Sequence, residues 1–214
     1  MKSSHEEFLK RKKKSNARNG LVLLIVALLL ILGCGLKKAL APAPAAQGPQ
    51  KTSETVPTTQ QEGKLPDPKD TTQPHDYSIL IRKGKFTLYL LDQGKPVGNW
   101  KVALGKNPGQ KEKSGDMKTP TGTFPVDEII DASGWSHDFG DGKGEIPHAY
   151  GPWFISLDTS KLSKGQWDGI GIHGTHDPSS IGTRASEGCI RLNNKDLETL
   201  KAYVKVGTKV VIEE

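Results

Sequence analysis

Two short segments hold the residues whose chemistry is easiest to name. Ile170-Gly171-Ile172-His173-Gly174-Thr175 places a histidine in a glycine-flanked apolar run. Sixteen residues after that histidine, Ser186-Glu187-Gly188-Cys189-Ile190-Arg191 holds one of the chain's two cysteines. His173 and Cys189 are a base and a thiol nucleophile. A free thiol, with a pKa of about 8.5, is mostly protonated at neutral pH, so attack on a carbonyl needs a nearby imidazole to take the proton. Gly188 removes a side chain where a carbonyl would approach, and backbone N–H groups in such a turn can face a developing oxyanion. Taken singly, each residue has a plainer reading, since cysteine is often a small buried hydrophobe. Their pairing favours chemistry.

Other signals are weaker. Gly169-x-Gly171-x-x-Gly174 satisfies a dinucleotide pattern, but Thr175-His176-Asp177-Pro178 follows it and cannot open the helix that pattern requires. His137, His148 and His176, with Asp138 and Asp177, lack metal-ligand spacing, and no metal site is expected. Trp100, Trp135, Trp153 and Trp167 can either stack on sugar rings or, the favoured reading, fill a core.

The elements that must position the pair begin near Tyr77. Ile79 and Ile81, then Phe86, Leu88 and Leu90, alternate around Lys83-Gly84-Lys85 as two strands with a tight turn, and Gln93-Gly94-Lys95 marks the next turn. Further strand-like runs are Trp100 to Leu104, Thr123 to Val126, Trp153 to Leu157, Gly169 to His173 and Lys209 to Ile212. One helix is expected near the end: Asn193 or Asn194 caps it, Leu197, Leu200 and Tyr203/Val204 repeat at helical spacing, and Gly207 stops it. The expected fold is mainly β with one or two short helices. The segments Gly105 to Gly122 and Ser133 to Tyr150 are long, polar loops able to wall a groove.

The rest of the chain carries no core. Net charge is +6, but residues 1–20 hold seven Lys/Arg against two Glu, residues 21–76 balance at five and five, and residues 77–214 carry 18 against 17. The domain is thus nearly neutral, and a nucleic-acid partner is not expected. The uncharged run 20–36, entirely aliphatic from Leu21 to Leu32, follows the basic residues 10–14. As a helix it rises roughly 26 Å against a hydrocarbon core of about 30 Å, which reads as a membrane segment with residues 1–19 cytoplasmic and the remainder outside. Ile31-Leu32-Gly33-Cys34 looks like a lipoprotein processing box, so the run is either an uncleaved anchor or a signal that ends in a lipidated Cys34. Cys34 is accordingly an improbable disulfide partner for Cys189. Residues 37–76 are rich in Pro, Thr and Gln and read as a disordered linker, of which residues 39–75 could extend up to roughly 110 Å at about 3.1 Å per residue. The folded domain is residues 77–214.

The paired motifs resemble those of the L,D-transpeptidase catalytic domain of the YkuD family, which builds or remodels bacterial peptidoglycan. The likeness rests on His173, Ser186, Gly188, Cys189 and Arg191. It is extended by Ala103-Leu104-Gly105 and Lys118-Thr119-Pro120-Thr121-Gly122-Thr123-Phe124, and it covers about residues 77–213. The family pattern carries a histidine where this chain has Glu187. The resemblance implies a mixed β-sandwich or barrel-like fold. It further implies Cys189 as nucleophile, His173 as base oriented by the carbonyl of Gly174, and Ser186 and Gly188 shaping the cysteine loop. Substrate contacts fall to Arg191 on a carboxylate and to Tyr150 with Trp153 at the cleft edge, while Glu187, the departure from the pattern, is read as tuning the site or contacting a substrate amine. It implies peptidoglycan peptide stems as partner, the cell envelope as location, and no metal or organic cofactor. The acyl acceptor stays open among a stem amine, a protein amine and water, and a non-catalytic wall-binding module is the distant alternative. Papain-like peptidases run cysteine before histidine, the reverse of the order here.

Overall fold

The computed structural model describes residues 6–12, 14 and 65–214. The expected membrane segment 20–36, Cys34 and the linker up to residue 64 lie outside the described residues. Among the described residues no helix is long and apolar enough to cross a membrane.

Twelve strands carry the domain: β1 (Tyr77–Arg82), β2 (Thr87–Asp92), β3 (Lys95–Lys101), β4 (Leu104–Gly105), β5 (Gly122–Asp131), β6 (His137–Asp138), β7 (Glu145–Ile146), β8 (Trp153–Leu157), β9 (Gly171–His173), β10 (Arg184–Ser186), β11 (Ile190–Arg191) and β12 (Lys209–Glu213). Eight form one mixed sheet in the order β11-β9-β8-β5-β12-β1-β2-β3, while β4 with β10 and β6 with β7 form two small ribbons. Alternation places Ile79 and Ile81 of β1 and Leu88 and Leu90 of β2 inside, with Phe124, Val126, Leu157, Ile172, Ile190, Val210 and Ile212 completing the core. The helix Asn194–Lys201 adds Leu197 and Leu200 to it.

The sheet curls until its edges touch. Beyond β3 the chain runs to Ala103, which exchanges two backbone hydrogen bonds of 2.9 Å with Arg191 on the opposite edge strand β11. The strand expected from Trp100 to Leu104 is therefore broken. Val102 still donates to Phe86 beside β2, whereas Ala103 has crossed to Arg191 and Leu104 begins β4. The expected stop at Gly207 also moves: the helix ends at Lys201, and tight turns bury Tyr203 and Val204. Gly207, at φ +88°, instead serves the turn into β12.

Residues 6–12 are helical and pack on the domain. Phe8 is buried, its ring 5.8 Å from Trp135 and 5.6 Å from Phe154. Arg11 bonds both carboxylate oxygens of Glu128, and Lys12 reaches Asp127 at 2.7 Å and the Ser156 hydroxyl at 2.8 Å. Arg11 and Lys12, two of the basic residues that read as topological signals, here meet acids of β5.

Candidate active site

Strand register brings the pair together. The parallel strands β9 and β11 align Ile172 with Ile190 and His173 with Arg191. Side chains alternate along a strand, so His173, Arg191 and Cys189, which lies two residues before Arg191, share one face, while Ile172 and Ile190 enter the core from the other. That shared face lines a cleft of about 260 Å³. His173, Cys189, Arg191, Ser186, Glu187 and Tyr150 all contribute to it, together with His137, Phe139, Lys111, Leu9 and others.

His173 is buried and closely held. Its Nδ1 lies 2.7 Å from the Gly174 carbonyl oxygen. A carbonyl can only accept, so Nδ1 carries the proton and the lone pair sits on Nε2. The ring stacks on Phe154 at 5.7 Å and meets Tyr150 at 4.8 Å. Glycine at 174 lets three segments converge: a Cβ there would lie 2.2 Å from Asn194 Oδ1 and 2.9 Å from the Gly151 Cα. Asn194 Oδ1 in turn accepts from the Thr175 amide at 2.8 Å.

The cysteine turn is braced from both sides. Ser186 Oγ donates to the Cys189 carbonyl at 2.5 Å and accepts from the Gly188 amide at 3.1 Å. That second bond engages the Gly188 N–H within the turn. Gly188 sits at φ +135°, and a Cβ there would lie 2.8 Å from the Lys118 carbonyl oxygen. Its own carbonyl accepts from Thr119 Oγ1 at 2.9 Å, and the same hydroxyl accepts from the Gly105 amide at 2.9 Å. Thr119 is completely buried. It is a support that the sequence reading did not single out, and Asn194, expected as a helix cap, instead holds the Thr175 amide. Thr119 stands inside a quoted family segment, but nothing in its residue type shows which loop it would clamp.

Electrostatics divide the cleft. Burial pushes the Cys189 thiol up, against smaller opposing effects of the Gly171 amide, Arg191 and Lys111. The resting sulfur is a thiol that donates to the Gly169 carbonyl at 3.3 Å. Burial likewise raises the Tyr150 phenol and lowers the Arg191 guanidinium from its ordinary value. Arg191 is 5% exposed, its Nε has no hydrogen-bond partner, and among the described residues no carboxylate pairs with it. Its guanidinium carbon lies 5.1 Å from the Phe139 ring centre. A buried cation without a counter-ion at a cleft wall is suited to an anionic ligand. Glu187 bonds His137 Nε2 at 3.0 Å through Oε2.

One predicted contact residue lies elsewhere. Trp153 does not line the cleft: it faces away from its neighbour Phe154 on β8, packs against the main core and holds Lys201 Nζ 4.1 Å above its ring. Alternation explains this, because Phe154, which pairs with His173, takes the cleft side. Trp135 and Trp167 are buried and Trp100 packs on the core, so all four tryptophans serve packing.

The family described as YkuD, the L,D-transpeptidase catalytic domain, matches residues 76–212. This chain belongs to that family. An L,D-transpeptidase named YkuD from Bacillus subtilis is 34% identical over 148 residues, covering 69% of this chain and 70% of that protein. YqjB of the same organism is 31% identical over 141 residues, covering 66% and 73%. The crystal structure of an L,D-transpeptidase from Mycobacterium tuberculosis, 16% identical, aligns over 65% of this chain and 58% of that chain with a TM-score of 0.48. As a YkuD-family domain, the chain has a transpeptidase fold around the cleft described above.

Proposed function

We propose that the YkuD-family domain of this chain is a cysteine L,D-transpeptidase acting on peptidoglycan peptide stems, with Cys189 as nucleophile and His173 as its base. The observation that carries this reading is the common cleft face of the two residues, with His173 fixed as its Nδ1–H tautomer by Gly174. A thiol raised by burial is not ionised on its own, so it needs that base.

In this mechanism His173 Nε2 takes the Cys189 proton as sulfur attacks the carbonyl of the third residue of a tetrapeptide stem. A C–S bond forms, the C–N bond to the terminal D-alanine breaks, and His173 returns the proton to the leaving amine. An amine of a second stem then attacks the thioester, forming a new C–N bond and releasing the thiolate. The thioester conserves the energy of the broken peptide bond, and no metal or organic cofactor takes part. Ser186 and Gly188 hold the nucleophile's turn, Tyr150 packs on the base, and Arg191 receives a substrate carboxylate.

Mass spectrometry of the purified full chain mixed with tetrapeptide stems tests this. A protein adduct equal to the stem less D-alanine is expected, absent in Cys189→Ala and in His173→Gln. No adduct on the wild-type chain would remove the reading. Cross-linked dimers as product identify a stem amine as acceptor, whereas free tripeptide alone would make the enzyme a carboxypeptidase.

The domain is further proposed to act outside the cytoplasmic membrane, tethered through residues 20–36. In that form residues 6–12 lie across the membrane and the Phe8 site is vacated. A C-terminal fusion reporter active only in the cytoplasm would overturn this placement.

A further inference from the structure

Glu187 lines the cleft two residues before Cys189, at the position where the family pattern carries a histidine. Its Oε2 accepts from His137 Nε2 at 3.0 Å, so one carboxylate oxygen is tied in place. Oε1 accepts no hydrogen bond among the described residues, and the side chain is 38% exposed. His137 comes from the β6–β7 hairpin, fifty positions away in sequence, and is set by edge contacts with the rings of Phe139 at 4.5 Å and Tyr150 at 5.7 Å. The hydrogen bond from His137, more than any other influence, holds the Glu187 carboxyl below its ordinary range, so it is ionised at neutral pH. Arg191 lies near enough to act on it electrostatically, yet the two form no ion pair among the described residues. The cleft thus presents an oriented, solvent-reaching anion beside the nucleophile.

We propose that Glu187, oriented by His137, is the subsite that binds the ammonium of the acyl acceptor. The inference rests on the transpeptidase reading above and names the residues that hold its second substrate. An aliphatic amine, with a pKa of about 10.4, arrives protonated. Glu187 Oε1 accepts one of its N–H groups in a charge-assisted bond. The ammonium gives one proton to water at the exposed mouth of the cleft, and its freed lone pair forms the C–N bond at the thioester carbon. The C–S bond breaks with its electron pair returning to Sγ, and the second proton passes from nitrogen to His173 Nε2. Holding the amine in attacking geometry is what lets it compete with water at about 55 M. Glu187 is a binding residue in this scheme and His137 a positioning residue.

The test reads the decay of acyl-enzyme already formed from a tetrapeptide stem, so molecules that fail to fold or acylate do not count. Decay is followed at pH 7.5 with a second stem as a cationic acceptor and with hydroxylamine as an uncharged one. Glu187→Gln keeps an amide oxygen able to accept from His137 and removes only the charge. The ratio of stem aminolysis to hydrolysis is expected to fall about tenfold or more in this variant, the scale of losing a bond to a charged group, while the hydroxylamine ratio changes little. His137→Asn should raise the KM for the stem acceptor more than it lowers kcat, because the charge remains but loses its orientation. A wild-type partition ratio in Glu187→Gln overturns the subsite. An equal loss for both nucleophiles also overturns it, making Glu187 a support of the hairpin. Absence of any acyl-enzyme on the wild-type chain instead removes the transpeptidase reading, and the subsite with it.

Discussion

Thr119→Val is the sharpest probe of how the Cys189 turn is held. The side chain has nearly the same shape but no hydroxyl, and Thr119 Oγ1 is the only atom linking Gly105 N and Gly188 O, each at 2.9 Å. The position is fully buried, so water does not replace either bond. Leaving one buried backbone group unsatisfied costs about 1–3 kcal/mol, so two such groups should destabilise the domain by roughly 2–6 kcal/mol. At about 3 °C per kcal/mol for a domain of this size, Tm should fall by roughly 6–18 °C. Thr119→Ser is the control. It keeps both bonds and loses one methyl, worth about 1 kcal/mol. Thermal unfolding followed by circular dichroism at pH 7 compares the three proteins, and single-turnover acylation compares their sites. Because Gly188 directly precedes Cys189, a displacement of about 1 Å at the turn is expected to slow acylation by about 10²-fold in the valine variant. If the valine protein melts with the serine protein, the hydroxyl bridge contributes nothing and this account of the turn is wrong.

Gly188→Ala should also impair the turn, since the new Cβ would meet the Lys118 carbonyl at 2.8 Å in a left-handed conformation, at a cost of about 1–3 kcal/mol; a wild-type Tm together with wild-type acylation would contradict this. Asp116 should give the cleft wall an acid-sensitive component: burial pushes its carboxyl up, but Lys111 at 2.7 Å and the amides of Glu112, Lys113 and Lys118 outweigh that and hold it well below the usual range. A carboxyl depressed on folding adds stability above its unfolded pKa of about 3.9 that is lost as pH falls toward the folded value, so Asp116→Asn should be less stable than wild type at pH 7 and the gap between the two melting curves should narrow progressively below about pH 4. A gap independent of pH would dismiss the ion pair as its source. Since burial raises the Cys189 thiol, its alkylation by iodoacetamide should keep accelerating with pH beyond about 9, and a plateau below pH 8 would show a thiolate already formed at rest.

The family and most of the framework were legible in the sequence. A histidine and a cysteine in glycine-marked runs carried the family pattern and the candidate base and nucleophile. The alternation of Ile79, Ile81, Leu88 and Leu90 around a turn specified β1 and β2, because period-2 patterning is local information. The helix at Asn194–Lys201 followed from helical spacing, although Asn193 at its start makes no side-chain capping bond; its end did not follow, because Tyr203 and Val204 are drawn into the core rather than along a helix face. Tertiary structure alone decided what depends on residues distant in the chain. Closure of the sheet through Ala103 and Arg191, the clamp of Thr119 on Gly188, and the pairing of His137 with Glu187 all join segments whose separation no local pattern encodes. Trp153 shows the same limit at a single residue. Its type suited a substrate contact, and only the register of β8 against β9 gave the cleft side to Phe154. The docking of residues 6–12 belongs with these cases, since a basic run has the same composition whether it faces a membrane or the carboxylates of Asp127 and Glu128.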